Sequence, residues 1–469
     1  MRSHTEAFQT RAVSRASRQA WHLLVGLLLL LAIGCSSVDP SGHYERARKL
    51  VHGATGEDAL FVPGESDVAR EAVANLLEGG LTATEAVQVA LLNNQQLQAQ
   101  LLQIGLSHTD VVQAGLLTNP SLQAVLRLPL DDATTNSEGG LLQSFTDLWL
   151  IPARKRVAES ELEETVLSTA HQAAALAAEA KASYLAAVAA TQAQLAAAEN
   201  LATARRFLEL SQARLDAGGA TQVEVNVAHS RLLEQRVLER STRFEEARTR
   251  LQLLTALGLP GPPEAIELTD ALRAPPELTL RADHLVAVAA ENRLDLKSAA
   301  RSLQAAESRV PLERRRAWPS LAGGVGYETE GGDLTLGPAV RLTLPIFDQN
   351  QAQVAKAEML YAQALHRLEG LAVQVDRDVH AALAQYSLAQ DTTQLYEREL
   401  LPLREQSLEL ARDSFAAGKT GFLYVLEAQN ALLIARSEYV EQLGRLARSA
   451  PLLEAACGVP LANLAAPKE

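Results

Sequence analysis

Leu201-Ala202-Thr203-Ala204-Arg205-Arg206-Phe207-Leu208-Glu209-Leu210-Ser211-Gln212-Ala213-Arg214-Leu215-Asp216-Ala217-Gly218-Gly219 decides the fold of this 469-residue chain. Leu201, Leu208 and Leu215 recur every seven residues, the mark of coiled-coil packing rather than of a simple amphipathic surface. Gly218-Gly219 stops the pattern. Upstream, back to residue 153, the chain has no Gly or Pro and is filled with Ala, Leu, Glu, Gln and Arg, residues that lose little on entering a helix. The reading is one helix over 153–217, about 100 Å long at 1.5 Å per residue. Such a helix needs neighbours along its whole length. Two hundred residues later Leu401, Leu408 and Phe415 hold the same register ahead of Ala417-Gly418.

That echo belongs to a duplication. Ala86-Val87-Gln88-Val89-Ala90 is answered by Leu285-Val286-Ala287-Val288-Ala289, Asn119-Pro120-Ser121-Leu122 by Trp318-Pro319-Ser320-Leu321, and Leu150-Ile151-Pro152 by Leu344-Pro345-Ile346. Leu257-Gly258-Leu259-Pro260 is answered by Cys457-Gly458-Val459-Pro460. With the Ala-Gly turns, the landmarks keep their order at offsets of 193 to 200. Each half reads as helix, strand pair, very long helix, short turn, helix. Helices are expected over 83–117, 153–217 and 221–257, and again over 281–316, 350–416 and 421–456, with bends at Pro311, Pro402 and Pro451 or helix ends slightly off these limits. Thr82 or Thr84 with Glu85 supplies capping chemistry for the first. In each half the two shorter helices, laid end to end, match the long one.

Strands are expected at about 119–130 and 139–151, and at about 318–330 and 334–347. Leu122, Ala124, Leu126 and Leu128 alternate with Ser121, Gln123, Val125 and Arg127. Leu334, Leu336, Val340, Leu342, Leu344 and Ile346 alternate with Thr335, Gly337, Ala339, Arg341 and Thr343. Such alternation suits the lipid and lumen faces of an outer-membrane barrel. Four strands cannot close on themselves, whereas three copies give twelve and remove the exposed edges. Asp131–Gly139 and Glu330–Asp333 then form polar hairpin tips at the cell surface.

At the N-terminus Arg2, Arg11, Arg15 and Arg18 precede an apolar run from Leu23 to Ile33 that ends at Gly34-Cys35-Ser36. The run is too short for a permanent span, which needs about 20 residues, and reads as a secretory signal peptide, 1–34. Ala32-Ile33-Gly34-Cys35 resembles a lipobox, making Cys35 the acylated first residue of the mature chain. Ser36 behind it fits sorting to the outer membrane. No later run of 18 apolar residues exists, so any crossing is expected to be made by strands.

Apolar residues make up 47% of the chain but aromatics only 4%, which favours helices packed over Ala and Leu. A net charge of −13 argues against nucleic acid as a partner. Two Cys rule out a disulfide framework or a Cys-based zinc site. Cys457, apolar on both sides, is expected to be buried. The ten His never fall at i, i+4, and neither a phosphate-binding Gly-rich loop nor a Gly-x-Ser-x-Gly elbow occurs. No catalytic residue, cofactor or metal ligand is expected, and the chain is not expected to be an enzyme.

The duplication and signal peptide, with the phrases Leu342-Thr343-Leu344-Pro345-Ile346-Phe347-Asp348 and Gly418 followed by Leu423-Tyr424-Val425-Leu426-Glu427-Ala428-Gln429, resemble the TolC-type outer-membrane efflux protein family, in its lipoprotein branch. The resemblance covers about residues 80–460. It implies a mainly α fold with a small β part: a duplicated helix-hairpin-helix protomer whose homotrimer forms a 12-stranded β-barrel joined to a 12-helix periplasmic α-barrel. The repeats would be 81–258 and 281–458. An equatorial girdle would come from 35–80, the Pro-rich connector 259–280 and the tail 459–469.

The function so implied is the passive exit duct of a tripartite efflux pump for small toxic compounds or metal ions. Its partners would be a periplasmic adaptor (membrane fusion) protein, an inner-membrane RND-type or ABC transporter, and outer-membrane lipid. The alternatives are the exit duct of a type I protein secretion system and, in another class, a structural periplasmic coiled-coil lipoprotein. In the family the tunnel narrows at its periplasmic tip, at inter-helix turns matched here by Gly218, Gly219 and Gly418. There the helix after each turn carries two Asp three residues apart; the matching positions are Tyr424 and Glu427, and Glu224 and Val227 in the first half. Glu224 and Glu427, with Tyr424 beside the latter, are the gate candidates, as a carboxylate ring that favours cations or holds the tip closed through inter-helix contacts.

Overall fold

The computed structural model describes residues 38–128, 135–277, 280–330 and 333–464. The expected signal peptide, Cys35, residues 131–134 of the first hairpin tip and the end of the tail lie outside the described residues. From Ser41 onward the chain forms one unit. Its first half runs α1 (Ser41–Thr55), α2 (Ser66–Leu77), α3 (Ala83–Asn93), α4 (Gln95–Gly115), β1 (Ser121–Arg127), β2 (Asn136–Ser144), α5 (Asp147–Asp216) and α6 (Gln222–Leu257). The second half runs α7 (Ala282–Asn292), α8 (Leu294–Arg316), β3 (Ser320–Glu330), β4 (Asp333–Thr343), α9 (Gln351–Leu395), α10 (Leu401–Ala416) and α11 (Phe422–Cys457).

The expected helices over 83–117 and 281–316 are each broken, at Asn94 and at Arg293. Asn94 serves both sides of its break: it ends α3, and its side chain accepts the N–H groups of Gln96 and Leu97 at the start of α4. The break lets the end of α6 meet the start of α4. Asn94 Nδ2 donates to Ala256 O at 3.1 Å, and Asn93 Nδ2 donates to Leu257 O at 3.0 Å and Gly258 O at 2.9 Å. In the second half Gly458 closes α11 against Arg293, whose Nη1 donates to Ala456 O at 3.4 Å. The expected end-to-end arrangement is therefore a stack of α6 on α4, with α3 beside it.

The first long helix starts at Asp147, not 153, and β2 stops at Ser144 rather than continuing to 151. Asp147 fixes the helix start by accepting Thr118 N–H at 2.8 Å and pairing with Arg154 at 3.2 Å. Pro152 sits inside the helix, where it forfeits one backbone bond. Part of this helix is apolar and long enough, by composition alone, to cross a membrane. Here that composition is the alanine that lets neighbouring helices approach. Of the three expected bends only Pro402 leaves a mark, a π turn over Tyr396–Leu400 between α9 and α10. It accommodates the carbonyl four residues before a proline that has no N–H to offer it. Pro311 and Pro451 lie within unbroken helices.

The sheet has the order β1-β2-β3-β4 and is antiparallel throughout. Partnered residues share a face, so the register sorts every side chain. Leu122, Ala124, Leu126, Leu141, Val325, Tyr327, Leu334, Leu336, Val340 and Leu342 fall on one face. It is bare: Leu122 is 80% exposed and Val340 73%. The other carries Gln123, Arg127, Glu138, Gly140, Gly324, Gly326, Glu328, Thr335, Gly337 and Arg341. Arg341 on β4 hydrogen-bonds Gln123 on β1, although three strand spacings of about 4.8 Å separate these strands along the sheet. The sheet therefore curls with its polar, glycine-rich face inside. A Cβ on Gly324 would stand 1.8 Å from Leu141 O, so this inner face has no room for one. Among the described residues β1 and β4 each pair on one side only.

Around the middle of α5 the connector is tied down. Leu81 bridges Leu268, Tyr184 Oη donates to Leu81 O at 2.6 Å, and Asp270 N donates to Tyr184 Oη at 3.2 Å. In the second half Tyr386 Oη reaches Pro276 O at 3.3 Å. As its prolines require, the described residues of the connector hold no regular helix beyond a 3₁₀ turn at Pro263–Ala265. Helices α1 and α2, in a segment given no secondary structure from sequence, pack here through Tyr44, Ala47, Val51 and Val73.

Candidate functional site: the paired glycine turns

Both long helices end in the same way. Gly218 and Gly418 take φ of +71° and +69°, a region that L side chains enter only with strain. Their turns close with matching bonds, Gly219 N to Arg214 O at 2.8 Å and Lys419 N to Ser414 O at 2.9 Å. Thr221 then caps α6 by accepting Glu224 N–H at 3.3 Å. At the second turn Gly421 offers no side-chain cap, and Thr420 Oγ1 is buried without a partner among the described residues.

Arg214 joins the two turns. Its Nη2 donates to Gly219 O at 2.7 Å and its Nη1 stands 3.8 Å from Glu224 Oε2. Its guanidinium lies 4.6 Å from the ring centre of Phe422 and 5.1 Å from that of Phe415, both contributed by the other half. Phe207 and Phe415 flank Phe422 at 6.1 and 5.4 Å. Buried Leu408, Val425, Leu426 and Leu432 complete the cluster. A cation over desolvated aromatic faces contributes about 1–2 kcal/mol, so Arg214 is a substantial link between the halves.

The three nominated side chains divide. Glu224 is half-buried and held by Arg214, an inter-helix contact from α6 to α5. Glu427 is exposed, and Tyr424 is 63% exposed one turn before it on the same face of α11. Arg214 and Phe422 escaped the sequence reading, and Phe415 entered it only as a heptad position, because nothing local signals that an arginine at one turn will meet phenylalanines from the other. Among the described residues no group of three His, Cys, Asp or Glu is placed to hold a metal.

Above the turns, α6 and α11 flank a groove of ≈ 540 Å³ whose floor is the alanine stripe of α5, with Ala189, Ala193 and Ala197 below and Gln235, Glu441 and Arg448 on the walls. Gly444 approaches that floor so closely that a Cβ there would lie 2.6 Å from Ala189 Cβ.

Residues 285–459 match the family described as outer membrane efflux protein. The chain is 28% identical over 273 residues to the cobalt-zinc-cadmium resistance protein CzcC of Cupriavidus metallidurans, a stretch covering 55% of this chain and 64% of that protein. It thus spans just under two thirds of this relative. The crystal structure of a membrane protein from Pseudomonas aeruginosa shares the fold with a TM-score of 0.68 at 20% identity, over 80% of this chain and 93% of the other. The open state of the Neisseria gonorrhoeae MtrE outer membrane channel does so with a TM-score of 0.66 at 18% identity, over 81% and 89%.

Proposed function

We propose that the chain is an outer membrane efflux protein, as the match of residues 285–459 and the likeness to CzcC support, and that it is the outer-membrane exit duct of a tripartite efflux pump. The observation that carries this reading is the sheet: a bare apolar face, a concave face of small and charged residues, and two open edges. Three copies joined β4 to β1 close twelve strands with the apolar face toward lipid. Their helices continue the bore away from the membrane. The 1–34 signal peptide is removed and Cys35 is acylated, which anchors the N-terminus. A periplasmic adaptor sits in the alanine-floored groove, and an inner-membrane RND-type or ABC transporter supplies the energy. The chain itself catalyses nothing. The metal-resistance relative favours metal ions among the cargo.

At the far end the gate has two parts. Glu427, exposed and next to Tyr424, contributes a carboxylate ring that favours cations. Glu224, Arg214 and the phenylalanine pair hold the two turns together. Single-channel recording of the reconstituted trimer separates these roles. Glu427→Ala is expected to lower cation preference, whereas Glu224→Ala, which removes the ion-pair partner of Arg214, is expected to raise conductance with a smaller change in preference. Unchanged cation preference in the double variant would falsify the ring, and failure to recover a heat-modifiable trimer from outer membranes would sink the duct itself.

A further inference from the structure

Where helices give way to sheet, the second half carries Arg314-Arg315-Arg316 in the last turn of α8, just before Trp318 and β3. The matching residues of the first half are Gly115-Leu116-Leu117, so duplication alone does not explain the cluster. A helix C-terminus favours a cation, and two of the three are already neutralised, Arg314 by Glu358 at 2.8 Å and Arg316 by Glu313 at 2.8 Å. Arg315 is exposed, and its guanidinium has no partner among the described residues. Around it the surface turns apolar and aromatic: Trp318 is 62% exposed and Phe347 93%, with Leu344 and Ile346 also bare. All lie at the helix-facing end of the sheet, next to the ends of β3 and β4.

We propose that Arg315, with Trp318 and Phe347, forms a headgroup site for an anionic phospholipid of the leaflet nearest the helices, a proposal that rests on the barrel reading above. Indole and phenyl rings settle at the boundary between acyl chains and water. A guanidinium at that height offers two parallel N–H donors to a phosphate oxygen pair. The unpaired Arg315 thus sits where a negative headgroup is brought to it by the acyl chains packed on Leu344, Ile346 and Phe347.

The test uses the full mature chain with Trp149→Phe, which leaves Trp318 as the reporting indole, reconstituted in bilayers containing brominated phosphatidylglycerol or brominated phosphatidylcholine at equal mole fraction. Phosphatidylglycerol is expected to quench Trp318 more strongly, and the excess is expected to shrink with added salt. Arg315→Gln should lose the excess while both lipids still quench, and Arg315→Lys should keep most of it. Equal quenching by the two lipids in the parent overturns the anionic site and leaves the barrel standing, as does an excess that survives Arg315→Gln. Absence of quenching by either lipid overturns the barrel reading and this site together.

Discussion

Arg293 and Asn94 hold the same place in the two halves, at the break between stacked helices, yet one is an amide and the other an ion. Arg293 is nearly buried and shares its guanidinium with Asp295 at 2.6 Å and Asp378 at 3.2 Å. Burial pushes the Asp295 carboxyl up, but the hydrogen bonds and charge of Arg293, with His171 and the Leu296 N–H, prevail and hold it below the usual carboxylate range. A carboxyl depressed in the folded state adds stability above its unfolded pKa of about 3.9, and that contribution is lost as pH falls through the lower folded value. Asp295→Asn is therefore expected to cost about 1.5–3 kcal/mol at neutral pH, with the deficit shrinking below about pH 4. Thermal melts of the helical signal from pH 7 to pH 3 test this, and a deficit that does not change with pH contradicts it. Neither Arg293 nor Arg214 was legible in the sequence. An arginine's partners come from elements far along the chain, and residue type at one position does not name them. Cys457 was legible, because apolar neighbours implied burial; it is fully buried and its thiol is pushed up to about 11.

The elements divide along the same line. The long helix and both glycine turns could be read because heptad spacing, alanine content and Gly are local signals. The breaks at Asn94 and Arg293 were not read, since no Gly or Pro marks them and the cap-favouring Asn93-Asn94 and Asn292 are a weak local signal. They exist because a second helix end must fit there, which is a tertiary demand. Gly258 and Gly458 meet that demand with φ of +67° and +73°, and a Cβ on them would stand 3.0 Å from Asn94 Cα and 3.1 Å from Arg293 N. Alanine at either position is expected to destabilise the chain by more than about 1 kcal/mol. Gly370, in the body of α9 with open space where a Cβ would go, should behave oppositely and gain about 0.5–1 kcal/mol as alanine. Comparing midpoints of thermal unfolding for the three variants decides whether the strain lies at the junctions. A common sign for all three rejects it. Helices α1 and α2 were missed for another reason: α1 carries Gly, His and mixed charge, and at 15 and 12 residues neither segment has a period long enough to register.

At the scale of the molecule the sheet was legible in its faces but not in its curl. Alternation sorted Leu122 from Gln123 and Val340 from Arg341, and the register upholds that sorting. Curvature depends on Gly324 and on a contact between outermost strands, which no single strand encodes. In the trimer proposed above the faces predict opposite fates for one substitution. Val340→Arg puts a charge toward lipid, at a cost of about 2–4 kcal/mol near mid-bilayer. Thr335→Arg, five residues away on the same strand and on the inner face, leaves assembly intact. Trimer yield from outer membranes, read on unheated gels, is expected to fall for the first and hold for the second. The reverse order would mean that the faces are inverted.

The open edges of β1 and β4 also bear on inheritance. In the proposed trimer the sheet of one chain is completed only by the others. A copy with sound helices and a faulty fourth strand then still enters assemblies and spoils its two companions. Defects in the hairpins should therefore behave as dominant in a cell that also makes the normal chain, while defects that unfold the helices, which remove the copy before it meets a partner, should be recessive.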